Sequence, residues 1–244
     1  MPIASPAEAN FSSSDNAGVE ATPHRWLAFD LDGTLIDAER RQTSLAADCL
    51  ARLGGGELDR LAFWREKRTG APTAHALRAL GVAQDLSEAV AALWGLEVED
   101  ERWLSLDAWL PGAIKSLATA KEHGFGVVVV TARRDRKAVE RQCERLGLLA
   151  IIDRLEVVEP RSAATGKARL IPSAYAMIGD SESDAEAASI AGVRFMGVAS
   201  GVRSEEFLVA RGCEVFATVL EAVSMLVVPM GEAMYSSSSK KLRR

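Results

Sequence analysis

The segment WLAFDLDGT, residues 26–34, decides the fold of this chain. Its first four residues are apolar, and the carboxylates of Asp30 and Asp32 follow them directly. A short run that is apolar on both faces indicates a strand buried inside a parallel sheet. Open parallel sheets bind their ligands at the carboxyl ends of their strands. The segment therefore predicts a buried strand that brings two acidic side chains to a ligand-binding edge.

Short apolar runs alternate with helical patterns along the rest of the chain. Residues 114–121 and 139–146 have apolar side chains at helical spacing; Pro111 precedes the first helix and Gly147 ends the second. Parallel neighbouring strands need crossover connections, which such helices supply. We therefore predict an α/β fold with a doubly wound, Rossmann-like parallel sheet. Its further strands are predicted at residues 125–130, 155–158, 175–178 and 195–199.

One connection is much longer than a crossover requires. The stretch between the first strand and Pro111 is rich in helical patterns and has no β-branched apolar run. We interpret residues 38–107 as a helical cap subdomain inserted between two parts of the core, residues 25–37 and 108–225. The remaining segments, 1–24 and 226–244, are predicted to be a disordered N-terminal tail and a C-terminal tail.

Composition excludes several classes of protein. The 244 residues include 29 Lys and Arg against 34 Asp and Glu, so the net charge of -5 gives no reason to expect a nucleic-acid partner. No apolar stretch is long enough to span a membrane, and we expect no membrane partner. Cys49, Cys143 and Cys213 lie far apart without a C-x-x-C spacing, which argues against disulfides and structural zinc. A cytoplasmic protein is expected.

Acidic residues also follow a later predicted strand. Asp180 and Asp184 come after the run 175–178, and Thr131 follows the run 125–130. Each carboxylate alone is equally compatible with a helix-capping role. If the strands are neighbours, however, at least three carboxylates converge and would repel one another unless a cation neutralises them. An oxygen-only site of this kind favours Mg²⁺.

These motifs, in this order, resemble the haloacid dehalogenase superfamily of phosphotransferases. The first motif, D-x-D-G-T, stands at residues 30–34, the second is Thr131 after its apolar strand, and the fourth, G-D-S-x-x-D, stands at residues 179–184. The glycine-rich run 197–201 is similar to that of the phosphoglycolate phosphatase-like and β-phosphoglucomutase-like branch. That branch has a helical cap between the first motif and the second strand, which corresponds to residues 38–107.

The resemblance implies a role for each motif position. Asp30 would be the nucleophile that forms an aspartyl-phosphate, and Asp32 would be the general acid and base. Thr131 would donate a hydrogen bond to the phosphoryl group. Mg²⁺ would be bound by Asp30, the backbone carbonyl of Asp32 and Asp180. Asp184 would ligate it, or would orient its waters or the basic residue of the third motif.

The third motif of the superfamily is a lysine that neutralises the nucleophile and the phosphoryl group. Lys167 is the best candidate, although only 13 positions separate it from Asp180 and the usual following proline is missing. Arg161 and Arg169 are rivals, because an arginine can also supply the charge.

Four positions are predicted to bind substrate. Gly33, Thr34 and Ala132 lie within or beside the first two motifs, where backbone N–H groups would approach a phosphate. Arg68 begins a cap loop, residues 68–72, that interrupts the helical pattern and would pair with an anionic group of the substrate. A plain helix-to-helix turn with a solvated arginine is the alternative. Arg40 and Arg41 are weaker candidates.

The favoured function is a Mg²⁺-dependent phosphatase that acts on a small phosphorylated metabolite, as a monomer or homodimer. A phosphomutase of the same fold is an alternative, and so is an inactive regulatory or binding protein. A dehalogenase is disfavoured, because in that class the second Asp of the first motif is absent, whereas Asp32 is present.

Overall fold

The apolar runs form the strands of a parallel sheet in the computed structural model of the protein, which describes residues 25–227. Six strands lie in the order β5-β4-β1-β6-β7-β8, so the strand before Asp30 is central. The prediction of an α/β fold with a parallel sheet is confirmed. The strands of the described chain are β1 (Arg25–Phe29), β2 (Ile36–Asp37), β3 (Ala108–Trp109), β4 (Phe125–Ala132), β5 (Arg154–Val158), β6 (Ala174–Gly179), β7 (Arg194–Val198) and β8 (Val215–Phe216).

Helices connect these strands and cover both faces of the sheet. No helix within residues 25–227 is long and apolar enough to cross a membrane. The predicted tails fall outside the described residues, except that the last helix continues to Val227. The helices are α1 (Glu39–Arg52), α2 (Arg60–Arg68), α3 (Thr73–Ala79), α4 (Gln84–Glu97), α5 (Glu101–Leu104), α6 (Ala113–Glu122), α7 (Arg136–Arg145), α8 (Ala163–Leu170), α9 (Glu182–Ala191), α10 (Glu205–Val209) and α11 (Val219–Val227).

The central strand β1 shows why the sheet is wound on both sides. Leu27 and Phe29 point to one face, where they join the core that packs against α6, α7 and α11. Ala28 points to the other face, which α8 and α9 cover. Successive strand residues point to opposite faces, so a strand that is buried on both sides must be apolar throughout. This physical requirement explains the continuous apolar runs in the sequence.

The helices α1 to α5 pack around an apolar core of their own, within the segment predicted to be the cap. Leu45, Phe63, Leu77 and Val90 are buried in it. At its base, the short antiparallel pair β2 and β3 joins the two ends of the insertion. Sequence periodicity does not reveal this pair, because each strand is two residues long. The same limit applies to the edge strand β8.

Candidate active site

Three polar side chains meet at one edge of the sheet because their strands are neighbours. Phe29 pairs with Val129 of β4 on one side and with Ile178 of β6 on the other. Asp30 and Asp180 follow β1 and β6, and Thr131 is the last residue but one of β4, so all three lie at the same edge of the sheet. All three are buried.

Lys167 lies against the carboxylate of Asp30. Its Nζ donates hydrogen bonds of 2.6 Å to Oδ1 of Asp30 and of 2.6 Å to Oδ1 of Asp184. Burial opposes the charged amine, but the carboxylates of Asp184 and Asp30 outweigh it and raise the pKa of Lys167 above its usual value. Arg161 and Arg169 are exposed instead. The structure thus brings the predicted lysine, and neither rival, to Asp30.

The carboxylates of Asp30, Asp180 and Asp184 form a buried cluster in which one oxygen of each lies within 4.8 Å of the others. Burial raises the pKa of Asp30 to about 7 despite the attraction of Lys167. Burial, together with the charges of Asp30 and Asp184, raises the pKa of Asp180 well above its ordinary value. Three carboxylates with one lysine leave an excess of negative charge. This oxygen-only donor set fits a hard divalent cation.

Asp180 is held by groups from two loops. Oδ1 accepts a hydrogen bond of 3.2 Å from the Thr34 hydroxyl, and Oδ2 accepts one of 2.6 Å from the backbone N–H of Val202. A Cβ at Gly33 or Gly201 would overlap the Asp180 carboxylate. Glycine is therefore required at both positions for the close approach of the two loops, and Gly33 in addition has a φ of 79°.

The predicted substrate-binding positions of the first two motifs have differing surroundings. The backbone N–H of Gly33 donates to the carbonyl of Ile36 at 2.7 Å, so the turn itself uses this donor. The buried Thr34 supports Asp180, as described above. Ala132 lines an open cavity beside the site. Ala132 thus lines a cavity that includes Asp32, and Gly33 lines a second, smaller cavity that also includes Asp32.

Asp32 is bound by two arginines. Arg133 donates from Nε to Oδ2 at 2.6 Å and from Nη2 to Oδ1 at 2.6 Å, and Arg41 donates from Nη2 to Oδ1. Burial would raise the pKa of Asp32, but Arg133 and Arg41 outweigh it and lower the pKa to about 2. The two acidic residues of the first motif are therefore perturbed in opposite directions.

A matching family model covers most of the described chain. The model of the haloacid dehalogenase-like hydrolases matches residues 24–192, which include all the residues of the carboxylate cluster and Lys167. The chain belongs to the haloacid dehalogenase-like hydrolases. A search of curated proteins gave no match.

Solved structures of similar fold come from several bacteria. A haloacid dehalogenase-like hydrolase from Streptococcus pneumoniae superposes with a TM-score of 0.65 at 18% identity, over 84% of this chain and 100% of that chain. A predicted phosphatase from Clostridium acetobutylicum gives 0.64 at 19% identity, over 84% and 99%. A predicted phosphoglycolate phosphatase from Haemophilus somnus gives 0.61 at 18% identity, over 84% and 99%. At these identities the likeness shows the fold.

The cap segment of this haloacid dehalogenase-like hydrolase contacts the core on two sides. On one side, Arg68 donates from Nη2 to the carbonyl of Ala199 at 2.5 Å, and its own carbonyl accepts the N–H of Ser204 at 3.0 Å. On the other side, the Glu99 carboxylate accepts the N–H groups of Arg134 and Asp135 at the start of α7. Arg68, a predicted substrate ligand at the end of α2, thus contacts a loop of the core and joins the cap segment to it.

A cavity of about 430 Å³ opens beside Asp32, between the cap and the core. This size suits a small metabolite. Its lining includes four arginines and two carboxylates, and Trp94 provides an aromatic wall. The lining residues are Asp32, Arg41, Gln42, Trp94, Gly95, Val98, Glu99, Ala132, Arg133, Arg134, Pro160 and Arg161.

Sequence reasoning missed Arg133 and the buried network behind it. Arg41, a weaker candidate from the sequence, also donates from Nε to Oδ1 of Asp107 at 3.1 Å. Gln142 donates from Nε2 to Oδ2 of the same carboxylate at 2.7 Å. Burial raises the pKa of Asp107 to about 6. The only available signal for Arg133 was its place two residues after Thr131, at a predicted strand end.

Proposed function

We propose that this hydrolase is a Mg²⁺-dependent phosphatase that removes the phosphate from a small metabolite through an aspartyl-phosphate intermediate. One observation carries the proposal: the buried Asp30 carboxylate contacts Lys167 and lies within a cluster of carboxylates. A nucleophile needs a nearby positive charge to accept an anionic phosphoryl group. The cavity next to Asp32 provides space for the rest of a small substrate.

In the first proposed step, an Asp30 oxygen forms a bond to phosphorus as the ester P–O bond breaks. Lys167 already contacts Oδ1, while none of the described hydrogen bonds uses Oδ2, so we propose Oδ2 as the attacking atom. Asp32, which Arg133 and Arg41 keep ionised in the observed arrangement, would take up a proton from solvent as substrate binds and give it to the departing alcohol oxygen. The products of this step are the free alcohol and the aspartyl-phosphate on Asp30.

In the second proposed step, a water molecule attacks the phosphorus and transfers its proton to Asp32. The bond between phosphorus and the Asp30 oxygen breaks, and inorganic phosphate leaves, so both aspartates return to their starting state. Thr131, at the end of β4, would donate a hydrogen bond to the phosphoryl oxygens. Lys167 would keep its charge beside the group throughout both steps.

The carboxylates of Asp30, Asp180 and Asp184 would hold Mg²⁺ together with the backbone carbonyl of Asp32. When bound, the cation would offset the negative charges of these carboxylates and of the phosphoryl group. The oxygen-only donor set supports Mg²⁺ over zinc, since zinc sites in proteins usually include histidine or cysteine.

The test uses the purified 244-residue chain and a panel of phosphate monoesters that includes p-nitrophenyl phosphate. We expect phosphate release with Mg²⁺ and none after removal of metal with a chelator, followed by recovery when Mg²⁺ returns. Asp30→Asn should lose several orders of magnitude in kcat, because an amide is a poor nucleophile. Asp48→Asn, a partly exposed cap position, is the matched control.

A covalent intermediate is measured directly by acid quenching with a ³²P-labelled substrate. Label retained on the denatured wild type, and absent from Asp30→Asn, would support the aspartyl-phosphate. Full activity in chelator, or more than about a tenth of wild-type kcat in Asp30→Asn, would contradict the proposal.

A further inference from the structure

Both carboxylate oxygens of Asp32 are already occupied by arginine. Arg133 donates one hydrogen bond of 2.6 Å to each oxygen, which makes a bidentate pair, and Arg41 donates a third hydrogen bond to Oδ1. A forked arginine–carboxylate pair is among the strongest side-chain interactions. In the proposed phosphatase reaction, however, Asp32 must exchange a proton with the leaving oxygen and with water. At least one of these hydrogen bonds to Asp32 must therefore weaken when substrate binds.

The two arginines differ in the hydrogen bonds that they make to groups other than Asp32. Arg41 uses all three of its nitrogens, because Nε bonds to Asp107 and Nη1 to the carbonyl of Val98 at 3.0 Å. Arg133 bonds to Asp32 alone among side chains, and its Nη1 is buried with no hydrogen-bond partner in the described residues. Arg133 is 5% exposed. A buried guanidinium nitrogen without an acceptor is costly, and an incoming acceptor would remove that cost.

Arg133 also forms part of the cavity wall next to Asp32. Arg134 and Arg161 lie on the same wall and are exposed, so they add positive charge at its entrance. The lining has four arginines against Asp32 and Glu99, with Asp107 behind Arg41 as a third carboxylate. One positive charge thus remains in excess. The charge balance favours an anionic ligand in this cavity.

From these contacts we infer that the substrate carries a second anionic group, a carboxylate or a second phosphate, and that Arg133 binds it. Arg133 would transfer part of its hydrogen bonding from Asp32 to this group, while Arg41 stays fixed by Asp107 and continues to position Asp32. Arg133 is then the residue that selects the substrate class. The inference rests on the proposed phosphatase function, which it makes more specific.

Arg68 does not fit this role in the observed arrangement. Its Nη2 donates to the carbonyls of Ala199 and Arg203, and it lines a different cavity that does not include Asp32. Its Nε has no hydrogen-bond partner among residues 25–227 either, but Arg68 lies at the contact between cap and core. The positive charge nearest to Asp32 comes from Arg133 and Arg41.

The kinetic test compares substrates that differ only in the second group. One pair is 3-phosphoglycerate and glycerol 3-phosphate, which tests a carboxylate. The other pair is propane-1,3-diol bisphosphate and 3-hydroxypropyl phosphate, which tests a phosphate. We expect the wild type to favour the doubly anionic member of at least one pair by about tenfold to a hundredfold in kcat/KM. The pair that shows the preference identifies the source of the second anion.

The variants remove or retain the charge of Arg133. Arg133→Gln should lower kcat/KM for both members of a pair, because Asp32 loses a partner, but it should lower kcat/KM more for the doubly anionic substrate and so abolish the preference. Arg133→Lys should keep an intermediate preference, since it retains the charge and loses the fork. Arg154→Gln, an exposed arginine at the start of β5, should behave as the wild type. Thermal unfolding of each variant shows whether it is folded.

A binding measurement keeps the test independent of turnover. Phosphonoacetate and ethylphosphonate differ only in the carboxylate, and calorimetry in the presence of Mg²⁺ gives the affinity of each. Tighter binding of phosphonoacetate to the wild type, lost in Arg133→Gln, would support the subsite even if no substrate were turned over, in which case the proposed function alone would fail. A bisphosphonate, methylenediphosphonate, against methylphosphonate serves the same purpose for a second phosphate.

Turnover without a preference within either pair would overturn the subsite and leave the phosphatase proposal intact. An equal loss on both members of a pair in Arg133→Gln would do the same, since it would assign Arg133 to Asp32 alone. If Arg133→Gln does not fold, the wild-type preferences and Arg133→Lys decide: the absence of any preference in the wild type, or a Lys variant that keeps the full preference, overturns the inference.

Discussion

Asp30 and Asp32 are separated by one residue, yet their charged surroundings are opposite. Asp30 belongs to a group of three carboxylates that share the single ammonium group of Lys167. Asp32 and Asp107 together share two guanidinium groups, those of Arg41 and Arg133. The Asp30 half has more carboxylates than cations, whereas in the Asp32 half two guanidinium groups balance two carboxylates.

The pKa values follow this difference. Burial raises the pKa of Asp30 to about 7, while Arg133 and Arg41 overcome burial and lower the pKa of Asp32 to about 2. Two identical side chains of one motif thus acquire different properties from segments that are far away in sequence. The proposed Mg²⁺ would supply the positive charge that the half around Asp30 needs, and in the proposed subsite Arg133 would exchange Asp32 for an anionic group of the substrate. In the proposed reaction, this difference would let the two aspartates take different roles.

The largest expected effect comes from removing the single cation of the Asp30 half. Lys167→Ala should lower kcat/KM by roughly 2–4 kcal/mol of transition-state stabilisation, because a charge-assisted contact to the reacting group is lost. Arg161→Ala and Arg169→Ala, which change exposed residues, should cost much less. Steady-state kinetics of the three variants on one substrate measures the difference. A near-normal Lys167→Ala beside a severely impaired Arg161→Ala would show that Arg161 supplies the charge.

A smaller effect is expected from Gly201→Ala, which disturbs the Asp30 half without changing its charge. The new Cβ would overlap the Asp180 carboxylate and displace it from the hydrogen bond with Val202. We expect Mg²⁺ affinity to fall by about tenfold to a hundredfold, as for other groups that orient a metal ligand. Magnesium dependence of activity, with calorimetry of Mg²⁺ binding, gives the value.

Gly56→Ala is the matched control for this change. No atom of residues 25–227 lies within 4 Å of a Cβ at Gly56, so the Mg²⁺ affinity of this variant should equal that of the wild type. Unchanged affinity in Gly201→Ala would mean that the loop moves aside without disturbing Asp180.

The smallest effect concerns stability, where the ionisations of Asp30 and Asp32 should respond to pH with opposite sign. The raised pKa of Asp30 contributes stability that is present below about pH 4 and lost as the pH rises through about 7. The lowered pKa of Asp32 contributes stability that is present above about pH 4 and lost as the pH falls towards 2. Metal-free protein should therefore lose on the order of 1–2 kcal/mol of unfolding free energy between pH 5 and 7.

Urea unfolding in chelator at pH 5, 6 and 7 measures this loss. Asp30→Asn should reduce this loss, though not to zero, since Asp107, with a pKa raised to about 6, and Asp180, with a pKa raised well above its ordinary value, act in the same direction. Asp48→Asn should leave the loss unchanged. Added Mg²⁺ should also diminish it, because the cation favours the ionised carboxylates. An identical pH dependence in Asp30→Asn and the wild type would contradict the assigned charge imbalance.

Much of the architecture was accessible from local patterns. The apolar runs predicted five of the six strands of the sheet, because strands buried on both faces must be apolar throughout. The same runs placed Asp30, Thr131 and Asp180 at strand ends, and parallel strands necessarily bring such ends to one edge. The two-residue strands β2, β3 and β8 were missed, since two residues carry no periodicity.

What the sequence determined by itself was therefore the sheet, its ligand-binding edge and the acidic residues that lie there. Only the tertiary structure decided which cations face them. Lys167 reaches Asp30 across 137 positions, and Arg133 reaches Asp32 across 101. Which carboxylate an arginine or lysine contacts depends on how helices and loops pack, and the spacing of residues in the sequence does not determine that packing. The assignment of Arg68 to a contact between cap and core, and of Arg133 to the cavity wall, follows from the same physical fact.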